Sequence, residues 1–420
     1  MRVIDLICVQ TRTGFFRDDQ AAIRHGAAHD GFRYDGSPVT AGFERIREPG
    51  ISVSVMLLLS TGEIALGDCV EVQYAGAGGR APAMEVSSVI QEIDGMVRPL
   101  LMDRSIDTFR ELADEVEALS FEGCPLSAAV RYGVTQALLS ATALSHRETM
   151  AEVVQREYQT GIEIMPVPLY TQSGDDRYAN VDKMILKEVD VLPHGLINEV
   201  QTKLGPDGEI LATYVRWVRD RVLLLRTRDD YMPRLHFDTY GTIGLAFGGD
   251  LELIVEYLGR LAHAAAPFAL RIEHPIDAGG RQEQIAVFAQ LRKKLSARDI
   301  PVELVVDEWC NTLEDIRLFV EAGAADVIHV KMPDLGGINN TIEALLYVKA
   351  AGLAALCGGT CNETDVSARV STHIGMACGV DQLLAKPGMG VDEGLMIVGN
   401  EMARVHALAT RRTALSKVSR

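Results

Sequence analysis

From Pro166 to Cys357 the chain alternates short runs of apolar and β-branched residues with longer stretches of helical apolar spacing, and few folds accept that rhythm. The strand-like runs are LHFD ending at Asp238, ALRIE ending at Glu273, VELVVD ending at Asp307, DVIHVK ending at Lys331, and LAALC from Leu353. Between them lie LELIVEYLGRLAHAA from Leu251, RQEQIAVFAQLRKKL from Arg281, TLEDIRLFV from Thr312 and a helix predicted from about Asn340 to Ala351. Strand and helix in turn specify parallel strands joined by helical crossovers. Thr312 with Asp315 has capping-box spacing, so a helix starts just past a strand end and the register is phased. About seven or eight such units fit, which favours a closed (β/α) barrel of TIM type over an open doubly wound sheet. The open sheet also lacks its phosphate turn: AGAGGR, Ala75 to Arg80, has neither dinucleotide spacing nor the Lys and Ser/Thr of a P-loop. It is predicted to be a flexible loop over a site.

The first 160 residues are organised differently. Residues 1 to 10 and 51 to 59 have strand character, and AAVRYGVTQALLSATAL from Ala128 to Leu144 is helical by its apolar spacing. We therefore divide the chain into an α+β module over 1–160 and a barrel with a C-terminal helical segment over 161–420. The 41 basic against 58 acidic residues leave a net charge of −17, which excludes phosphate-backbone and anionic-membrane partners because both require a basic face. No run approaches the roughly 18 apolar residues of a membrane helix, and Asp5 interrupts the first apolar stretch, so a cytoplasmic location is expected. Seven scattered cysteines, with Cys357 and Cys361 the one close pair, point to reduced thiols.

Three consecutive predicted strands end in a carboxylate: Asp238, Glu273 and Asp307, 35 and 34 residues apart. Each step is one βα unit, so all three arrive at the same height on the C-terminal rim, where barrels carry their active sites. Carboxylates brought within 4 Å repel by roughly 4 kcal/mol per pair at an effective dielectric of 20. A dication removes that penalty, and all-oxygen ligation with open positions suits Mg²⁺ or Mn²⁺. Strand periodicity places His236 on the face of Asp238, Arg271 on that of Glu273 and His329 on that of Lys331. Arg271 is expected either to orient or neutralise the metal carboxylates or, equally, to form a structural ion pair.

Lys331 ends the next strand inside an apolar run. Beside a dication and apolar walls its pKa should fall, which makes the neutral amine a base near pH 7. His194 in VLPHGLIN ends an earlier candidate strand and could serve the opposite face of a substrate carbon. A metal and a base together imply removal of a proton α to a carboxylate, since the enolate dianion needs the cation's charge. Elimination or reprotonation would follow, so a lyase, a dehydratase and a racemase all remain open at this point.

Longer strings carry a more specific signal. DDQAAIRHGAAHDGF at Asp18, GDCVEVQYAGAGGR at Gly67, QSGDDRY at Gln172, DEWCNT at Asp307, KMPDLGG at Lys331, CGGTCNET at Cys357 and AKPGMGVDEG at Ala385 resemble the methylaspartate ammonia-lyase family of the enolase superfamily over nearly the whole chain. The resemblance implies an enolase-like α+β capping domain on a modified (β/α) barrel. It implies that Asp238, Glu273 and Asp307 bind Mg²⁺, that Lys331 removes the C3 proton of (2S,3S)-3-methylaspartate, and that His194 acts on the other face. It further implies that Gln172, Thr360 and Cys361 hold the substrate carboxylates, that Gln73 lies near the amino group, and that the products are mesaconate and ammonia. A response to K⁺ and a homodimer come with the family. The resemblance breaks at His329, Tyr170 and Leu356, where the family has glutamine, phenylalanine and tyrosine. A histidine at 329 can still donate to the metal-bound carboxylate, but it titrates near neutrality, so a different pH–rate profile is expected.

Overall fold

In the computed structural model, which describes residues 1–418, Val53, Val55, Leu57 and Leu59 are buried while Ser54, Met56 and Leu58 are half-buried. That is the period of a strand with one face on a core. The strand, β2 (Arg47–Leu59), pairs antiparallel with β1 (Val3–Asp18) and with β3 (Ile64–Cys69), in the order β1-β2-β3. A long helix, α1 (Ala128–His146), covers the buried face and is tied to β3 where Gln136 Nε2 donates to the Asp68 carbonyl at 3.0 Å. Ser127 caps its first turn by accepting from the Val130 amide.

Both long strands run further than the apolar pattern predicts. Alternation fades after Gln10, but the pairing resumes beyond a register shift between Arg12 and Phe16 and continues to Asp18 opposite Arg47. The extension is held by polar contacts: Arg47 grips Asp18 at 2.7 Å, and Asp18 accepts from Gln73 Nε2 at 2.9 Å. Apolar periodicity is blind to such an arm, whose purpose is to reach the barrel.

Eight parallel strands close the barrel in sequence order: β4 (Leu169–Tyr170), β5 (Val191–His194), β6 (Arg234–Asp238), β7 (Leu270–Glu273), β8 (Val302–Val306), β9 (Val327–Lys331), β10 (Ala354–Gly358) and β11 (Gln382–Leu384). The expected enolase-like architecture, a closed barrel with an α+β cap, is the observed one. Tyr170, Val191, Val305, Val327, Leu356 and Leu384 form an apolar cluster of inward side chains. Thr312 caps the helix Leu313–Glu321 as its spacing predicts: its hydroxyl accepts from the Asp315 amide at 3.1 Å and Asp315 accepts from the Thr312 amide at 2.9 Å. The helix predicted from about Asn340 runs over Ile338–Ala350. All seven cysteines are free thiols. Among the described residues no helix is long and apolar enough to cross a membrane.

Candidate active site

Strand ends build the site. Asp238 pairs in register with Glu273, so the two carboxylates stand at one height on adjacent strands, and Asp307 follows β8 directly. Lys331 ends β9 and His194 ends β5, four strands apart in a ring of eight, so they face each other across the mouth. Asp238, Glu273, Lys331, His194, His329, Gln73, Gln172 and Thr360 line one cavity. Asp307 lies behind Lys331, and Cys361 behind Gln73, whose Oε1 accepts from Sγ at 3.2 Å. All ten residues singled out in the sequence are thus brought to one place.

On one side of the mouth positive charge gathers. Lys331 Nζ donates to Asp307 Oδ2 at 2.5 Å, and Arg80 donates to Asp307 Oδ1 at 3.0 Å and to Asp334 at 2.9 Å, with Glu308 at 3.5 Å. Burial works to raise the Asp307 pKa, but Lys331 and Arg80 outweigh it and hold the carboxyl down at about 2. Lys331 departs from its predicted depression. Burial and Arg80 pull its pKa down, yet Asp307, Glu308 and Asp334 prevail and the ammonium is stabilised.

The opposite side is poorer in cations. Asp238 has His194 Nε2 at 3.4 Å and accepts from the Tyr240 amide at 3.2 Å. Burial, with Glu273 nearby, pushes its pKa up to about 6. Glu273 is held between two imidazoles, His236 Nε2 on Oε2 and His329 Nδ1 on Oε1, each at 2.7 Å. Burial opposes ionisation of Glu273, but His329 and His236 overcome it and its pKa lies well below the ordinary value. Cys361 stays a neutral thiol, because burial pushes its pKa up.

Ligand atoms of Glu273, Asp307 and His329 lie within 4.8 Å of one another, which is the spacing a cation can bridge. Asp238, the third acid expected there, is turned toward His194. Tyr170 Oη, Gln172 Oε1, His194 Nδ1 and His329 Nε2 are buried without a hydrogen-bond partner, and all four residues line the same cavity. Unpaired buried polar atoms are costly, so their convergence marks a place that receives a polar ligand.

Of the two readings of Arg271 the structural ion pair is the observed one, and the flexible-loop expectation needs correction. Arg271 shares a strand face with Glu273, but its guanidinium points down the barrel, where it bonds Glu303 at 2.9 Å and Gln382 at 2.5 Å. Two strand steps of about 3.3 Å each separate the two layers, and periodicity gives the face of a residue without the direction in which a long side chain leans. The Ala75–Arg80 loop does lie over the site, but it is anchored. Arg80 is buried beneath it, and a Cβ on Gly78, at φ 59°, would meet the Glu308 side chain at 2.8 Å. Arg80 and Tyr240, whose hydroxyl is 3.3 Å from His194 Nε2, escaped sequence reasoning. The glycines just before Arg80 were the one available signal. Gly358 is constrained as well, since a Cβ there would fall 1.8 Å from His329 Nε2.

The model for the methylaspartate ammonia-lyase N-terminus matches residues 1–159, and that for the C-terminus matches residues 161–411. The chain belongs to the methylaspartate ammonia-lyase family. A methylaspartate ammonia-lyase of Clostridium tetanomorphum is 53% identical over 98% of this chain and 100% of its own length. A crystal structure of beta-methylaspartase from the same organism, a Mg complex, has a TM-score of 0.92 at 53% identity, with 98% of this chain and 100% of that one covered. The Citrobacter amalonaticus methylaspartate ammonia lyase containing (2S,3S)-3-methylaspartic acid has a TM-score of 0.95 at 48% identity, covering 98% of this chain and 100% of its own. Beyond the methylaspartate ammonia-lyase family, a muconate lactonizing enzyme from Pseudomonas fluorescens shares the fold alone, with a TM-score of 0.59 at 18% identity.

Proposed function

We propose that this chain is a carbon–nitrogen lyase that eliminates ammonia from (2S,3S)-3-methylaspartate to give mesaconate, with Mg²⁺ as cofactor. The observation that carries the reading is the opposition of Lys331 and His194 across a cavity that also presents Asp238, Glu273 and four unpartnered polar atoms. Relatives at about half identity that are named for this substrate support it.

Asp238, Glu273 and Asp307 would hold the cation, with His329 close enough to contribute. Bound at a substrate carboxylate, Mg²⁺ supplies the positive charge that stabilises the α-carbanion. Lys331 Nζ takes the proton from C3; the C–H electron pair becomes the C2=C3 bond, the C2–N bond breaks, and nitrogen leaves as neutral ammonia. Lys331 must be unprotonated to do so. Neutralising Asp307 removes the largest interaction that raises its pKa, so burial and Arg80, which lower it, are opposed by Glu308 and Asp334 alone. His194 serves the other face of C3, positioned by Tyr240 and Asp238. Gln172, Thr360 and Cys361 receive the carboxylates and Gln73 the amino group.

The same reading includes Mn²⁺ as a substitute, K⁺ as an activator, a homodimer, a cytoplasmic role in glutamate degradation, and a division into units 1–160 and 161–420. Light scattering of the pure protein checks the dimer, and rates in K⁺ against Na⁺ salts check the activator. The deciding experiment incubates the protein with (2S,3S)-3-methylaspartate and Mg²⁺. Ammonia and the ultraviolet absorbance of an unsaturated diacid should appear together. Exchange of the C3 proton with solvent and no ammonia would assign the chain a different enolase-type reaction.

A further inference from the structure

Beneath the mouth, the barrel interior holds a second polar layer where bulky apolar residues ordinarily fill such barrels. His236, Arg271 and Gln382 come from three different strands and are all buried. They form one chain of hydrogen bonds. It starts at Glu303, half in solvent at the barrel floor, whose carboxylate accepts from Arg271 Nε at 2.9 Å. Arg271 then donates to Gln382 Oε1 at 2.5 Å, Gln382 Nε2 stands 2.8 Å from His236 Nδ1, and His236 Nε2 stands 2.7 Å from Glu273 Oε2. Tyr170 stacks on the imidazole, with ring centroids 4.6 Å apart and planes at 7°, and fixes its plane.

The donors and acceptors along this chain are decided by chemistry. A guanidinium carries only donors, so the Gln382 atom facing Arg271 is the carbonyl oxygen and the atom facing His236 is the amide nitrogen. An amide nitrogen only donates, so His236 Nδ1 accepts. The proton of the imidazole is therefore on Nε2, and it points at Glu273.

We infer that Arg271 and Gln382 are positioning residues that fix His236 as its Nε2–H tautomer, so that an N–H, and not a lone pair, orients Glu273. The other tautomer would set a lone pair against the carboxylate. For its metal-binding arm the inference rests on the Mg²⁺ reading above; its tautomer arm does not.

The test uses the whole protein labelled with ¹⁵N histidine, with the His236 signals assigned by their loss in His236→Asn. In the metal-free wild type at pH 7.5, His236 should show a protonated Nε2 and a bare Nδ1. Gln382→Glu keeps shape and the Arg271 pairing but presents an acceptor to Nδ1. His236 should then carry a proton on Nδ1, and calorimetry should find Mg²⁺ bound about 10–100-fold more weakly than by the wild type. Gln382→Met, which removes both bonds, should let His236 sample the second tautomer. A wild-type His236 protonated on Nδ1 overturns the inference even if neither variant folds. So does a Gln382→Glu protein that leaves the His236 signals unmoved, or one that takes up Mg²⁺ within twofold of the wild type. Should the wild type bind no Mg²⁺ at all, the proposed function fails while the tautomer measurement still decides this point.

Discussion

Asp238 and Asp307 stand at the ends of strands two apart in one barrel, both buried, yet one is driven up to about 6 and the other held at about 2. The difference comes from what lands on each. Asp307 receives Lys331 from its own barrel and Arg80 from the capping loop, whereas Asp238 receives a histidine at 3.4 Å. The capping domain therefore charges one half of the mouth and leaves the other poorer in positive charge. The comparison teaches that a carboxylate's usefulness here is set by the loop above it more than by its place on the strand.

The sharpest way to break this asymmetry is at the base. Lys331→Ala should lower kcat by about 10²–10⁴-fold, followed by diacid absorbance, because general-base catalysis carries that much. Turnover near the wild-type level would show that the proton leaves by another route.

Arg80→Met strips the guanidinium from Asp307, Glu308 and Asp334, and a buried charge left without its partner costs about 3–5 kcal/mol. Urea unfolding should record that loss, and carboxyl NMR should find Asp307 titrating closer to Asp238. If Asp307 keeps its low titration point, Arg80 is not the source of the asymmetry.

The two acids should also act oppositely on stability without metal. Asp307, depressed from 3.8 to about 2, contributes stability that is present above about pH 4 and lost as pH falls through 2. Asp238, raised from 3.8 to about 6, costs stability once ionised, so its penalty grows as pH rises from about 4 to 6 and persists above. Asp238→Asn should therefore stabilise the metal-free protein by about 1–3 kcal/mol at pH 8 and leave it unchanged at pH 4. Adding Mg²⁺ should reverse the ranking, since only the wild type keeps all three acids. Thermal melts at the two pH values, with and without Mg²⁺, decide it.

The smallest effect is expected at His329, which contacts Glu273 through Nδ1 and leaves a buried Nε2 without a partner beside Gly358. His329→Gln keeps a donor to Glu273 and replaces the imidazole by a neutral amide, so the acid limb of the kcat/KM profile should move with little change at the plateau. A superimposable profile would dismiss the role of the histidine.

Much of this was legible before any coordinates. The alternation of strand and helix runs, with acids every 34 or 35 residues, fixes a parallel barrel and the rim on which the acids sit, because covalent spacing and strand period act locally. Residue type along those strands likewise singled out Lys331 and His194, which face each other across the mouth. What remained for the tertiary structure was every contact made by a side chain arriving from far along the chain: Arg80 onto Asp307, Gln73 onto Cys361, Gln382 onto His236. Those contacts join residues 146 to 288 apart in the chain and exist only as outcomes of closure. They set the protonation states, for a pKa depends on the charges and burial within a few ångströms, which no local sequence pattern encodes.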